Sequence, residues 1–213
     1  SLPLGAVFMR PRPSRRLLIA AVAALGLAAC GGSRSGAADS GDMVQGRADA
    51  PVTVIEYASV TCGHCATFNE QVYPEFKKRY VDTGQVRYVF REFLTPPTDV
   101  AAAGFLVARC AGPDKYFSVV DAIFRSQAEM FSGNGANVRP VLLRIAQTAG
   151  MTEQQFNACI NDDAQLDALN KRVEAGLKAG ITATPTFLIN GKKLEGAQTL
   201  QNLSAAIAAA QKK

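Results

Sequence analysis

The order of the predicted elements along the chain indicates an α/β fold that is interrupted by an all-helical insertion. A β-branched run, VTVIEYAS at 52–59, precedes a helical pattern at 66–81 and a second strand-like run, QVRYVFREF at 85–93. A strand, a helix and a strand within about forty residues are typical of a right-handed βαβ unit with parallel strands. Helical patterns then fill 98–178, and strand, hairpin and helix signals end the chain, which gives the order βαβ, helices, ββα.

The first helix is predicted from an apolar stripe. Large apolar residues recur every four positions, at Phe68, Val72, Phe76 and Tyr80. Pro74 lies within this stripe, and it predicts a kink in the helix rather than its loss.

Local signals justify the later elements in the same way. Thr152–Gln155 forms a capping-box pattern, which predicts the start of a helix inside the insertion. Strand character returns at 183–189, and Asn190-Gly191 predicts a tight hairpin turn after it. An Ala-rich stretch at 199–211 is predicted to be the last helix.

The positive charge of the chain is concentrated near its start. The 213 residues include 23 basic and 18 acidic ones, and the pI near 9.0 suggests nucleic-acid binding. Four of the basic residues, Arg10, Arg12, Arg15 and Arg16, lie directly before the apolar run 17–29. Such a run rises about 20 Å as a helix, too short to span a bilayer, and a basic region before it is typical of a secretory signal peptide. Without those four arginines the chain has 19 basic and 18 acidic residues, which leaves it almost neutral. We therefore predict no nucleic-acid partner.

The end of this apolar segment, Leu27-Ala28-Ala29-Cys30, resembles the lipobox of bacterial lipoproteins. The resemblance implies removal of a signal peptide at 1–29, lipidation of Cys30, and a periplasmic or cell-envelope location on a membrane. Residues 30–44 include a stretch rich in Gly and Ser and are expected to form a flexible tether. Two alternatives stay open. One is an ordinary signal peptide cut after a residue such as Ala38, which would remove Cys30, and the other is an uncleaved anchor.

The motif Cys62-Gly63-His64-Cys65 lies where the first strand runs into the first helix. At a helix N-terminus, unpaired N–H groups and the positive end of the helix dipole stabilise the thiolate of Cys62. His64 can donate a hydrogen bond or a positive charge to that thiolate. Cys65, one turn further on, is expected to be shielded and to act as the resolving thiol. The spacing therefore predicts a redox-active dithiol, with a static disulfide or an adventitious metal site as the alternative.

The single histidine and the remaining cysteines disfavour a metal site. A zinc finger with two cysteines and two histidines is excluded because His64 is the only histidine. A four-cysteine zinc site needs a second close pair, whereas Cys110 and Cys159 stand 49 positions apart. We therefore predict no metal and no organic cofactor.

In an oxidising compartment Cys110 and Cys159 are expected to form a structural disulfide, and the alternative is two buried free thiols.

The element order, the CGHC motif and Thr184-Pro185 before the hairpin together resemble the DsbA family of thioredoxin-fold oxidoreductases. The resemblance covers roughly residues 45–211. It implies an α/β thioredoxin fold interrupted by an all-helical insertion domain. The expected domains are a first thioredoxin part at 45–96, the helical insertion at 97–178 and a second thioredoxin part at 179–213.

Glu56 is predicted to be a buried acid. Period-two alternation along the first strand puts it on the apolar face with Val52 and Val54, where burial would raise the pKa of its carboxyl. It stands six residues before Cys62, as the buried acid of the family does, and the resemblance implies a proton relay to Cys65. The alternative is an edge-strand glutamate whose carboxylate reaches solvent.

Thr184-Pro185 matches the cis-proline loop that lies opposite the CxxC motif in the family. The resemblance implies that the Thr184 backbone pairs with an extended substrate chain, which is a sequence-tolerant mode of binding. The alternative is a trans proline that opens an edge strand.

Together these assignments imply an exported thiol–disulfide oxidoreductase, a monomer that donates its Cys62–Cys65 disulfide to reduced exported proteins. The resemblance also implies reoxidation by a membrane quinone-linked, DsbB-like partner. Because Gly63-His64 is the dipeptide of protein disulfide isomerase, we expect an oxidising potential milder than the about −120 mV of DsbA. Two alternatives remain: a disulfide isomerase or reductase on the same scaffold, and a lipid-anchored copper-binding protein that holds Cu(I) with CxxC and His64.

Overall fold

The fold was obtained as a computed structural model, which describes residues 38, 39 and 41–212. The predicted signal peptide at 1–29 and the predicted lipidation site Cys30 lie outside the described residues. In the part of the chain that is described, no helix is long and apolar enough to cross a bilayer.

Within residues 41–212, a five-stranded mixed sheet lies at the centre of the fold. Its strands are, in chain order, β1 Met43–Gln45, β2 Val52–Ala58, β3 Val86–Glu92, β4 Thr186–Ile189 and β5 Lys192–Glu195. Across the sheet the order is β1-β3-β2-β4-β5. The pair β2–β3 is parallel, as the predicted βαβ unit requires, and β1–β3, β2–β4 and β4–β5 are antiparallel. Strands from the two ends of the chain therefore meet at the middle of the sheet.

Helices connect these strands and form the insertion between β3 and β4. The described helices are α1 Gly63–Gln71, α2 Tyr73–Phe76 with a π-helical continuation Lys77–Val81, α3 Thr98–Cys110, α4 Tyr116–Arg125, α5 Gln127–Met130, a 3-10 turn Gly133–Gly135, α6 Val138–Thr148, α7 Glu153–Ile160, α8 Asp163–Lys178 and α9 Leu200–Gln211. The predicted capping box is present at α7, where Thr152 and Gln155 cap the helix reciprocally. The chain thus has the thioredoxin fold with an all-helical insertion that its sequence predicts.

The two faces of the sheet are buried in two clusters. Val54 and Tyr88 point into the larger one, which they share with Phe68 of α1, Leu203 of α9 and much of the insertion. On the opposite face, the smaller cluster includes Ile55 and is covered in part by α8. Alternate residues of β2 therefore enter different cores, as the period-two pattern predicts.

A buried ion cluster attaches the insertion to the end of β3. The carboxylate of Glu92 is fully buried and accepts hydrogen bonds from Arg109 Nε at 2.7 Å and Arg172 Nε at 2.6 Å. The Tyr116 hydroxyl donates to the same carboxylate at 3.1 Å. Three helices of the insertion, α3, α4 and α8, therefore converge on one strand end.

The strand β1 corrects the expected tether at 30–44, because Met43 and Val44 pair with β3. A strand of three residues is too short to show a period-two pattern in the sequence. The guanidinium of Arg91 in β3 reinforces the pairing by donating to the Asp42 carboxylate at 2.9 Å. The sheet therefore extends two residues into the range that was expected to be flexible.

The helix with a predicted kink consists of two helices that meet at Val72. Pro74 lies in the first turn of α2, where a missing N–H is tolerated because it has no partner within the helix. The proline nitrogen cannot donate to the carbonyl of residue 70, so α1 ends at Gln71, three residues before the proline.

Candidate active site

The CGHC motif lies at the N-terminus of α1, close to the end of β2. Cys62 is the N-cap residue, with extended backbone angles (φ −86°, ψ 117°), and its Sγ accepts a hydrogen bond from the Cys65 N–H at 3.2 Å. The two cysteines are joined by a disulfide, and their Cα atoms are 5.3 Å apart. The sulfur of Cys62 therefore lies against the unpaired N–H groups of the helix, where a thiolate is stabilised.

The two sulfurs differ sharply in exposure. Cys65 is fully buried in the larger core, whereas Cys62 is partly exposed. Gly63 and His64 are exposed between them, and a Cβ built on Gly63 would meet nothing within 4 Å. An incoming thiolate can therefore reach Cys62 but not Cys65.

The segment Thr184-Pro185 lies directly against Cys62. The Cys62 Sγ is 3.6 Å from the Thr184 carbonyl oxygen, and the Thr184–Pro185 peptide bond is cis. The Pro185 carbonyl accepts a hydrogen bond from the Gly196 N–H at 2.9 Å, which anchors this loop to the end of β5. Within the described residues, the backbone N–H of Thr184 makes no hydrogen bond, and the residue is partly exposed.

Glu56 is buried in the middle of β2, with 2% of its surface exposed. The Oε2 atom of its carboxyl accepts a hydrogen bond from the hydroxyl of Tyr88, which is also buried. Burial raises the pKa of Glu56 from the ordinary 4.5 to about 8, and the Tyr88 hydrogen bond opposes part of that rise. The side chain shares the strand face of Val54 and Ala58, in the core that also holds Cys65. Glu56 is therefore a mostly protonated acid at neutral pH.

Gln127, the first residue of α5, also contacts this site and was not predicted from the sequence. Its Nε2 donates hydrogen bonds to the carbonyl of Val60 at 2.8 Å and to the carbonyl of Cys62 at 3.2 Å. A glutamine 65 positions after Cys62 carries no sequence pattern that would link it to the motif. Only the packing of the insertion against the sheet brings the two together.

The remaining predicted cysteines form a second disulfide, away from the CGHC motif in sequence. Cys110 at the end of α3 is bonded to Cys159 of α7, and their Cα atoms are 6.3 Å apart. Cys110 is exposed and Cys159 is buried. In the described part of the chain, no three His, Cys, Asp or Glu side chains are grouped so that they could hold a metal ion.

These features define a class of protein. A thioredoxin fold with a CxxC disulfide at the N-terminus of its first helix, and a cis-proline loop against the exposed sulfur, is the architecture of dithiol–disulfide exchange proteins. The family model described as "Thioredoxin" matches residues 38–209 of the chain.

Solved structures and curated sequences refine the class. The crystal structure of Wolbachia pipientis alpha-DsbA1 has a TM-score of 0.74 and 31% sequence identity, and the match covers 82% of this chain and 93% of that one. A Rickettsia bellii protein named "Putative protein-disulfide oxidoreductase" is 34% identical over 170 residues, which are 79% of this chain and 64% of the relative. The "Disulfide bond formation protein D" of Bacillus subtilis is 26% identical over 159 residues, 73% of this chain and 70% of the relative.

This chain therefore belongs to the DsbA family of thioredoxin-fold proteins. It spans about three fifths of the length of the Rickettsia relatives that it matches.

Proposed function

We propose that this protein is an exported thiol–disulfide oxidoreductase that donates its Cys62–Cys65 disulfide to reduced proteins. The asymmetry of the bonded pair carries the proposal. Cys62 is partly exposed at the start of α1 and lies 3.6 Å from the Thr184 carbonyl, whereas Cys65 is fully buried. This arrangement supports attack at the Cys62 sulfur, with the Cys65 sulfur as the leaving group.

In the first step, a substrate thiolate attacks the Sγ of Cys62. A substrate–Cys62 disulfide forms, the Cys62–Cys65 bond breaks, and its electron pair leaves with Cys65 as a thiolate. A buried thiolate without a counter-charge is costly, so Cys65 takes up a proton. Glu56 is the source of that proton in this proposal, because a pKa of about 8 keeps its carboxyl protonated at neutral pH. The negative charge then rests on the Glu56 carboxylate, which the hydrogen bond from the Tyr88 hydroxyl stabilises.

In the second step, another thiolate of the substrate attacks the substrate sulfur of the mixed disulfide. The substrate disulfide forms, and Cys62 leaves as a thiolate. The Cys65 N–H, 3.2 Å from this sulfur, and the N-terminus of α1 stabilise the charge. His64 lies exposed beside it, where it can donate a hydrogen bond. Two substrate thiols are thereby oxidised to a disulfide, and the two active-site cysteines are reduced.

The unpaired Thr184 N–H and the carbonyl beside Cys62 support a role in substrate binding. An extended polypeptide can add to this backbone segment by main-chain hydrogen bonds, which do not depend on the side chains of the substrate. Pro185, held through its carbonyl by Gly196, keeps the segment in place. This mode suits an enzyme that acts on many unfolded proteins.

A membrane partner completes the cycle in this proposal. The Cys62–Cys65 dithiol gives two electrons and two protons to a quinone-linked, DsbB-like protein and returns to the disulfide. A periplasmic or cell-envelope location, with lipidation at Cys30, would hold the enzyme beside that partner. The basic and apolar residues before Cys30 support export.

A trapping experiment tests the proposed function. In Cys65→Ala the resolving thiol is missing, so mixed disulfides through Cys62 should accumulate and can be identified by mass spectrometry after non-reducing electrophoresis. Cys62→Ala is the matched control, because its remaining thiol is buried and should capture nothing. Capture of many exported cysteine proteins supports the oxidase, and capture no greater than in the control contradicts it.

A refolding assay separates the oxidase from the isomerase alternative. The oxidised protein should introduce disulfides into a reduced test protein, whereas it should rescue a scrambled one poorly. Efficient rescue of scrambled disulfides would favour the isomerase.

A further inference from the structure

The side-chain amide of Gln127 holds the redox-active loop at two points. Its Nε2 carries two hydrogens, and the group lies 2.8 Å from the Val60 carbonyl and 3.2 Å from the Cys62 carbonyl. The two carbonyls flank Thr61, so one side chain of the insertion bridges the turn between β2 and α1. An ionised glutamate of the same shape could not make either bond, because it only accepts hydrogen bonds.

The other hydrogen bonds of this turn come from the thioredoxin part of the chain. The Cys62 N–H donates to the Ser59 carbonyl at 3.0 Å, and the Cys62 carbonyl accepts from the Ala66 N–H at 3.1 Å. The Thr61 hydroxyl donates to the Thr95 carbonyl at 2.8 Å. Gln127 is therefore the link by which α5 of the insertion restrains the backbone of Cys62 itself.

This restraint has unequal weight in the two redox states. In the oxidised protein, the Cys62–Cys65 disulfide already fixes the position of Cys62 relative to α1. In the reduced protein that covalent bond is absent, and non-covalent contacts alone keep the Cys62 sulfur against the Cys65 N–H. A contact that orders the turn contributes more to the state in which the turn is otherwise less restrained.

We propose that Gln127 is a positioning residue that stabilises the reduced form of the CGHC site relative to the disulfide form, and so makes the disulfide a stronger oxidant. The proposal rests on the proposed function, in which the Cys62–Cys65 disulfide is the oxidant. It assigns to the helical insertion a direct part in setting the redox equilibrium. The amide also places the positive end of its dipole at the Cys62 carbonyl, which favours the Cys62 thiolate.

The equilibrium with glutathione measures the effect. One protein disulfide and two reduced glutathiones give one protein dithiol and one oxidised glutathione, and a stronger oxidant has a larger equilibrium constant. Loss of hydrogen bonds that matter mainly in the reduced state should lower this constant about fivefold, the equivalent of about one net hydrogen bond. A fivefold fall corresponds to a potential about 20 mV more reducing.

Gln127→Met is the main variant, because it keeps the length of the side chain and removes both donors. Gln127→Glu keeps the shape, removes the donors and adds a negative charge near Cys62, so its constant should fall further. Gln154→Met is the matched control, since Gln154 is an exposed glutamine of the same insertion. The thiolate pKa of Cys62, followed by its ultraviolet absorbance, should rise in both Gln127 variants and stay unchanged in the control.

The stabilities of the two redox forms provide the second measurement. Urea unfolding of Gln127→Met should show a larger loss in the reduced form than in the oxidised form, and Gln154→Met should show no difference between the forms. Two results would overturn the proposal. One is an equal loss of unfolding free energy in the oxidised and reduced forms of Gln127→Met. The other is an equilibrium constant with glutathione that stays within twofold of the wild-type value in both Gln127 variants. If the wild-type protein itself failed to oxidise dithiols, the proposed function would fall instead, so the two failures are distinguishable.

Discussion

Replacing Glu56 by glutamine measures how much the buried carboxyl lowers the free energy of unfolding. The pKa of Glu56 is raised by burial to about 8, against an ordinary value of 4.5 in the unfolded chain. Below about pH 4.5 the carboxyl is protonated in both states. As the pH rises further, the unfolded chain releases the proton and the folded protein keeps it, so the free energy of unfolding falls by about 1.4 kcal/mol per pH unit. The loss reaches about 3 kcal/mol at pH 7 and levels off above pH 8.

Glutamine has the same shape and is neutral at every pH, and its carbonyl oxygen can still accept the hydrogen bond from Tyr88. The free energy of unfolding of Glu56→Gln, measured by urea at a series of pH values, should therefore lack this decline. The difference between variant and wild type should grow by about 3 kcal/mol in favour of the variant between pH 4.5 and 7. Glu70→Gln, at an exposed position on α1, serves as the control and should show no such trend. A difference that stays constant over this range would refute the reasoning.

Three further outcomes can be measured on the same protein. Tyr88→Phe removes the hydroxyl that lowers the pKa of Glu56, so the carboxyl should titrate above pH 8 by carbon-13 NMR; a lower titration point would contradict the assignment. Changing both Cys110 and Cys159 to Ser removes a cross-link that closes a loop of about fifty residues, which should lower the free energy of unfolding by about 4 kcal/mol in urea. An unchanged urea midpoint would show that this disulfide is not stabilising. Glu92→Gln leaves two partly buried arginines without their counter-charge and should cost about 3 kcal/mol in the same assay, and a loss below about 1 kcal/mol would mean that solvent compensates for it.

Much of the fold follows from local sequence patterns. The strands β2 and β3 lie in the β-branched run and the strand-like run that predict them, and β4 and β5 form a hairpin that turns at the predicted Asn190-Gly191. The capping box at α7 begins its helix at the predicted residue. These signals predict structure well because the residues that form each pattern are close in the chain. The same residues make the contacts that stabilise the element.

The strand β1 shows where such patterns end. Its residues, Met43–Gln45, join the sheet because β3 offers an unpaired edge and Arg91 holds Asp42 beside it. Strand β3, which includes Arg91, lies more than 40 positions after Met43 in the sequence. A short edge strand of this kind forms because of the strand it pairs with. Its own three residues carry no pattern that predicts it.

The candidate active site likewise combines residues that local patterns predict with residues that only tertiary packing brings together. The CGHC motif and Glu56 could be found from the sequence because spacing and alternation reveal a helix start and a buried strand face. The partner of Glu56 could not be found in this way. Tyr88 reaches the carboxylate only because β2 and β3 pair in one particular register, with Val54 opposite Tyr88. Gln127 was missed for the same reason, since its contact with Cys62 depends on how the insertion packs.

The interleaving of β4 between β2 and β5 has a consequence for the order in which the molecule is assembled. Cys62 and Thr184, which touch in the finished site, are 122 positions apart in the chain. The helices of the insertion depend on local contacts and can form early, whereas pairing of β4 with β2 must close a very long loop and is expected to come late. During synthesis, the CGHC motif therefore emerges long before the loop that faces it. Under the proposed function, a substrate can therefore meet Cys62 and the Thr184 segment together only after β4 has paired with β2.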